Sequence, residues 1–197
     1  MREFPKLYDT YFHNKKFAYN GIQQYNRNTL LWSDDRVDGG KTGHTESAGY
    51  NLVASAKADG MRMISVVTGT NSENARKNQA EALISYAFRF YQEAELFGAD
   101  KQIAQIRVWK GEETEVPVVA QGAVNVAYPR GKRDELTTSA ELPATLSAPV
   151  KKGERLGTLA IKYNDRVLKE EPLYAGKTIA EGGYIRQAMD EILMMFQ

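Results

Sequence analysis

Lys41, Thr42, Gly43 and His44 stand side by side and offer an ammonium, a hydroxyl, a backbone position without a side chain, and an imidazole. An ammonium and a hydroxyl carried by one strand can together hold a carboxylate, and partial desolvation in a cleft strengthens such charge-assisted hydrogen bonds. A glycine beside them lets a second backbone lie against the strand and pair with its main-chain groups. Taken alone the triplet is weak evidence, because a lysine and a threonine on a strand usually belong to a solvated edge. Its setting is more specific. The segment VDGGKTGHTESAGYNLVASA, residues 37–56, places the triplet just before a tight turn region and a strand, as an active-site strand would be.

Other residues that could do chemistry offer less. His13 and His44 are the two histidines, without H-E-x-x-H or H-x-x-H spacing, and there is no cysteine, so neither a metal site nor another cofactor is expected. Asp34, Asp35 and Asp38 form an acidic cluster, but beside Gly39-Gly40 they read as turn formers. Trp32 and Trp109 read as packing residues, and the charged run 131–135 as a solvated loop.

The elements that must position these residues follow from periodicity. Residues 47–68 read as two strands joined at Asp59-Gly60, a dipeptide that tolerates the positive φ of a tight hairpin. From 71 to 91 the period changes. Ala75, Ala82, Leu83, Tyr86, Ala87 and Phe90 share one helical face, expected to cover the sheet, with Arg76, Lys77, Glu81 and Arg89 mostly elsewhere. Ser72 is placed to cap that helix. Beyond Gln92, β-prone runs at 103–109, 116–119, 124–128 and 156–163 alternate with turn signals at Lys110-Gly111, Pro129-Arg130-Gly131, Lys152-Gly153 and Asn164-Asp165. This predicts a small all-β module, a sandwich or compact meander. After Gly182-Gly183, Ile185, Ala188, Met189, Ile192 and Phe196 recur at helical spacing opposite Arg186, Gln187, Asp190 and Glu191. The expected division is 1–91, 92–180, and an amphipathic helix at 181–197.

At 197 residues and 42% hydrophobic, the chain can bury one ordinary core or two small ones. A formal net charge of +1 argues against nucleic acid as a partner. The opening MREFPKLYDTYF has no basic segment followed by an apolar run, and no stretch of about 18 apolar residues occurs, so neither an export signal nor a spanning helix is expected within these residues.

Several segments together carry a resemblance: FAYNGIQQYNRNTLLW (17–32), VDGGKTGHT (37–45), AGYNLVASA (48–56), YAFRFYQ (86–92) and YPRGKRDEL (128–136). They resemble the low-molecular-mass penicillin-binding proteins, serine D-alanyl-D-alanine carboxypeptidases of the peptidase S11 type, in which Lys-Thr-Gly is a signature triplet. The resemblance runs through essentially the whole chain. It implies an α+β fold, the C-terminal part of a penicillin-binding/β-lactamase-like transpeptidase domain with antiparallel strands and a packing helix. A small all-β sandwich-like domain and the C-terminal amphipathic helix would follow.

The same resemblance implies removal of the terminal D-alanine from peptidoglycan pentapeptides, and β-lactam antibiotics as inhibitors. Carried onto this chain, Lys41, Thr42 and Gly43 hold the carboxylate of a stem peptide ending in D-Ala-D-Ala, with Lys41 also part of the catalytic set. His44 contributes its backbone N–H to an oxyanion hole, its imidazole being neither acid nor base, and Arg27 orients the substrate carboxylate. The implied location is the periplasm, on the outer face of the Gram-negative cytoplasmic membrane, with residues 182–197 lying in the headgroup region. Asp190 and Glu191 outweigh Arg186, so anionic lipids add little; core packing or a partner contact is the other use of that helix.

The chain departs from the family pattern at the nucleophile: no S-x-x-K tetrapeptide occurs in these residues. Ser72-Glu73-Asn74 spells S-x-N, but it follows Lys-Thr-Gly and sits at a helix start, so it is not the family's second motif. Acyl transfer needs a nucleophile within reach of its base, and an oxyanion hole alone gives only residual catalysis. The expectation is that this chain alone neither cleaves D-Ala-D-Ala nor binds penicillin covalently, with the signal and nucleophile lying outside it. The alternative is a non-catalytic peptidoglycan- or partner-binding module. Residues 1–91 are further expected to expose apolar surface and to associate with a second copy, a complementary fragment or a swapped element.

Overall fold

Pro5 opens the first helix, α1 (Pro5–Phe12), at a position where its missing N–H forfeits no hydrogen bond. Asn20 and Gly21, both at positive φ, then fold β1 (Lys16–Tyr19) back onto β2 (Ile22–Tyr25) in a two-residue hairpin. A single helical turn, α2 (Leu30–Ser33), leads into β3 (Val37–Thr45), β4 (Gly49–Ala58) and β5 (Met61–Thr70), which form a three-stranded antiparallel sheet in that order. Asp59 and Gly60 make the β4–β5 turn with φ of 51° and 79°, as the dipeptide predicts. The computed structural model describes residue 1 and residues 3–195. It divides into two compact units, Met1–Gln92 and Glu93–Gln197.

Helix α3 (Glu73–Phe90) is capped by Ser72, whose hydroxyl accepts the Ala75 N–H at 3.0 Å. Its buried face differs from the expected one. Arg76, Ala80 and Ile84 turn inward, while Leu83, Tyr86 and Phe90 are about half exposed. Residues four apart stack on one helical stripe, and the stripe that fits the sheet starts at Arg76, because that guanidinium reaches back to the segment around Arg27. Ala80 and Ile84 then pack with Leu52, Ala54, Ala56 and Val67 of the sheet and with Leu30 and Leu31. On the opposite sheet face Val53, Ile64 and Val66 are exposed, as are Phe17, Tyr19, Ile22 and Tyr25 of the first hairpin.

Strand β6 (Tyr91–Phe97) begins in the last residues of the first unit and runs into the second, which also contains β7 (Gln102–Arg107), β8 (Glu115–Val119), β9 (Val124–Pro129), β10 (Leu136–Glu141), β11 (Arg155–Tyr163) and β12 (Arg166–Ala175). A five-stranded sheet runs β10-β11-β12-β8-β7, and β6 pairs with β9. Val116 and Val118 of β8, Val124 and Val126 of β9, and Leu159 and Ile161 of β11 share one core, which makes the module sandwich-like. Asn164 and Asp165 turn β11 into β12 at positive φ. Trp109 is buried, as expected; Trp32 is 44% exposed, contrary to its reading as a packing residue, because the short α2 turns only Leu30 and Leu31 inward.

The last helix, α4 (Tyr184–Met194), belongs to this second unit. Its polar edge faces inward and its apolar side outward: Asp190 is buried, while Ile185, Met189 and Ile192 are exposed. Use of that apolar face in core packing is therefore overturned among the described residues; Phe196, expected on the same face, lies outside them. No helix of the described residues is long and apolar enough to cross a membrane.

Candidate active site

The tripeptide Asn26-Arg27-Asn28 is fixed by its two amides, and that of Asn28 ties it to β3. Asn26 accepts the Asn28 N–H at 2.9 Å and donates to the Asn14 carbonyl at 3.1 Å. Asn28, 1% exposed, donates from Nδ2 to the Gly39 carbonyl at 3.2 Å, and its Oδ1 accepts the Leu30 N–H at 3.3 Å. A buried amide with both ends engaged fixes the backbone on either side of it, so Arg27, exposed between the two, is delivered beside β3.

The approach of β3 to the triplet is irregular. The β3–β4 register shifts between Val37 and Gly39, and Gly39 and Gly40 carry φ of 147° and 132°. A Cβ on Gly40 would lie 2.0 Å from the Val53 carbonyl oxygen, and one on Gly39 would lie 2.7 Å from the Tyr8 hydroxyl. Only glycine fits at either position. The second contact also shows where α1 lies, over the start of β3, with Tyr8 and Phe12 stacked at 5.1 Å.

Beyond the bulge the register is regular: Lys41 opposes Val53, Thr42 opposes Leu52, Gly43 opposes Asn51 and His44 opposes Tyr50. Adjacent strand residues point to opposite faces, but β3 is a sheet edge, so side chains from both faces reach the space along it. There a cavity of about 810 Å³ opens. Arg27, Lys41, Thr42, Gly43 and His44 all line it, with Tyr11 and Phe12 of α1 and Phe17, Gln24 and Tyr25 of the first hairpin. Every site residue expected from sequence is thus brought to one concavity.

Lys41 folds its ammonium onto the carbonyl oxygen of Thr42, leaving the charge at the mouth of the cavity. The His44 ring packs on Tyr50 with centroids 4.0 Å apart, which occupies the imidazole with an aromatic contact. Asp34 and Asp38 are bound elsewhere. Asp34 pairs with Arg36 at 2.7 Å and Asp38 with Arg62 at 2.6 Å, and neither lines the cavity. The Arg36 side chain holds the Asp34 carboxyl below the usual carboxylate range, against the opposing effect of burial.

Arg76 was missed from sequence, where helical periodicity placed it on the solvent side. It is 3% exposed, lines the cavity, lies 5.5 Å from the Tyr50 ring centroid, and donates from Nη2 to the Arg27 carbonyl at 3.4 Å and to Glu73 at 3.1 Å. A readable signal existed: Glu73 and Arg76 stand three apart at a helix start, a spacing at which charged partners meet. The cavity therefore holds three cationic side chains, Arg27, Lys41 and Arg76, against one carboxylate, Glu73, which makes it suited to an anion.

Residues 1–72 match the family described as D-alanyl-D-alanine carboxypeptidase, and residues 91–181 match the C-terminal domain of penicillin-binding protein 5. The D-alanyl-D-alanine carboxypeptidase DacC of Escherichia coli K12 is 41% identical over 92% of this chain and 46% of its own length. The chain belongs to the D-alanyl-D-alanine carboxypeptidase family. DacA of the same organism is 36% identical over the whole of this chain and 49% of its own length. Penicillin-binding protein 5 of Haemophilus influenzae shares the fold with a TM-score of 0.80 at 34% identity, covering 91% of this chain and 53% of that one. The chain spans about half the length of the carboxypeptidases it matches.

Proposed function

We propose that residues 1–91 supply the carboxylate-binding and oxyanion wall of a serine-type carboxypeptidase that removes the terminal D-alanine from peptidoglycan pentapeptides. The observation that supports this reading is the convergence of Arg27, Lys41, Thr42, Gly43 and His44 on one cavity along the open edge of β3. On this reading the substrate's terminal carboxylate draws the Lys41 ammonium away from the Thr42 carbonyl and takes a hydroxyl hydrogen bond from Thr42, while Arg27 and Arg76 hold the local potential positive. The peptide then lies along Gly43 as an added strand. The backbone N–H of His44 faces the carbonyl under attack, and the imidazole stays against Tyr50.

The nucleophile comes from an S-x-x-K segment outside these residues, which contain none. That absence also favours a second reading of the chain by itself, a module that holds a D-Ala terminus without cutting it. Penicillin labelling separates the two. The chain alone, the nucleophile-bearing half of E. coli DacC alone, and the two together are incubated with excess penicillin and weighed by mass spectrometry. The enzymatic reading expects a stoichiometric adduct only in the mixture, on the supplied serine. An adduct on this chain alone contradicts the missing-nucleophile part, and no gain on mixing favours the binding module. The location proposed is the periplasmic face of the cytoplasmic membrane, with the exposed apolar side of α4 against the lipid headgroups.

A further inference from the structure

Helix α4 is attached to the β module by its charged edge, which reverses the usual order of an amphipathic helix on a protein surface. Asp190 is 7% exposed, and its Oδ2 accepts the backbone N–H of Lys110 at 2.6 Å. Lys110, in the β7–β8 connection, sits in the left-handed region at φ 59°, and its amide meets the helix through this bond. Around this bond the Lys110 carbonyl accepts the Gly182 N–H at 2.8 Å, Gln187 donates to the Gly182 carbonyl at 2.7 Å, and the Lys110 ammonium lies 3.5 Å from Glu191. The outward side carries Tyr184, Ile185, Met189 and Ile192, at 92%, 81%, 60% and 58% exposure.

We infer that Asp190 is an orienting latch: its buried carboxylate, bonded to the Lys110 amide, holds α4 polar edge inward and so keeps the apolar face turned out toward a lipid surface. Two physical arguments carry this. An 11-residue helix is too short to be stable by itself in water, so docking must supply its order. Rolling the apolar face onto the β module would pull Asp190 off the Lys110 amide, leave that N–H unpaired beneath the helix, and break the Gly182 and Glu191 contacts with Lys110 at the same time. A pre-ordered helix also loses less entropy on meeting the membrane than a free one.

The lipid occupant rests on the membrane reading above; the latch does not, and the experiment separates them. Hydrogen–deuterium exchange is measured on the full chain, Asp190→Ala and Asp190→Asn, with β11 and β12 as the internal folding reference. Flotation of each with phosphatidylethanolamine–phosphatidylglycerol vesicles runs in parallel. Asp190→Ala is expected to speed exchange across residues 184–194 and at Lys110 by about tenfold or more, with β11 and β12 unchanged. Asp190→Asn, which keeps an acceptor oxygen, should show a smaller rise, and flotation should fall several-fold in the alanine variant. Unchanged exchange in both variants overturns the latch. Faster exchange with undiminished flotation overturns its role in presenting the face. If the unmutated chain does not float, the bilayer is the wrong occupant, and exchange alone still decides whether Asp190 orients the helix.

Discussion

The side chain of Asn28 donates to the carbonyl of Gly39 at 3.2 Å, joining the segment that presents Arg27 to the bulge that launches Lys41. One buried amide thus sets the separation of two cations that belong to the same proposed carboxylate site. Removing it should cost both stability and geometry. Asn28→Ala is expected to destabilise the first unit by about 1–3 kcal/mol. Asn28→Asp should cost more, since it aims a carboxylate at a carbonyl oxygen. Urea unfolding checks both, and an alanine variant as stable as the unmutated chain would contradict the assignment.

Gly40 is the tighter of the two glycines before the triplet, with a prospective Cβ 2.0 Å from the Val53 carbonyl oxygen. The atom it would meet is backbone within the sheet, so relief requires β3 to move away from β4. Gly40→Ala should destabilise by about 2 kcal/mol or more and displace Lys41 and Thr42. Amide chemical shifts of residues 41–44 and 52–54 report the displacement; a variant with unchanged shifts and stability would exclude a strained bulge.

Asp34 gives a pH signature. Arg36 bonds its carboxyl from the backbone N–H at 3.0 Å and from Nε at 2.9 Å, and the same guanidinium lies 5.1 Å from the Phe88 ring centroid, tying α2 to α3. The folded-state pKa is lowered, first by the Arg36 side-chain hydrogen bond, so the unfolded chain binds the proton more readily. The stabilisation is complete above the ordinary carboxylate value, about pH 4, and is lost as pH falls through the lower folded value. Asp34→Asn should therefore be less stable by about 1–3 kcal/mol at neutral pH, with a smaller gap in acid, below about pH 4. Urea midpoints at neutral and acid pH test it, and a gap independent of pH would refute the ionic origin.

Much of the fold was legible because it rests on local chemistry. Asp59-Gly60 and Asn164-Asp165 adopt the positive φ their types allow, Ser72 caps α3, and the β runs after Gln92 alternate as a half-buried sheet must. The Asn20-Gly21 hairpin carried the same signal and went unread. Tertiary packing decided what local pattern could not. The apolar stripe Leu83, Tyr86 and Phe90 obeys helical periodicity yet stands outward, because Arg76 claims the inward side through the Arg27 carbonyl and the Tyr50 ring. In the same way the amphipathic period of α4 was readable, but its inverted docking depends on the Lys110 amide 80 positions earlier.

Carboxylate binding along β3 is tested most directly by nuclear magnetic resonance titration with an acylated Lys-D-Ala-D-Ala tripeptide. The expected result is saturable movement of the amides of residues 41–44 and of the Arg27 side chain, weakened about tenfold in Lys41→Ala and absent with the C-terminally amidated peptide. Shifts lying away from β3, or equal shifts with the amidated peptide, would contradict it.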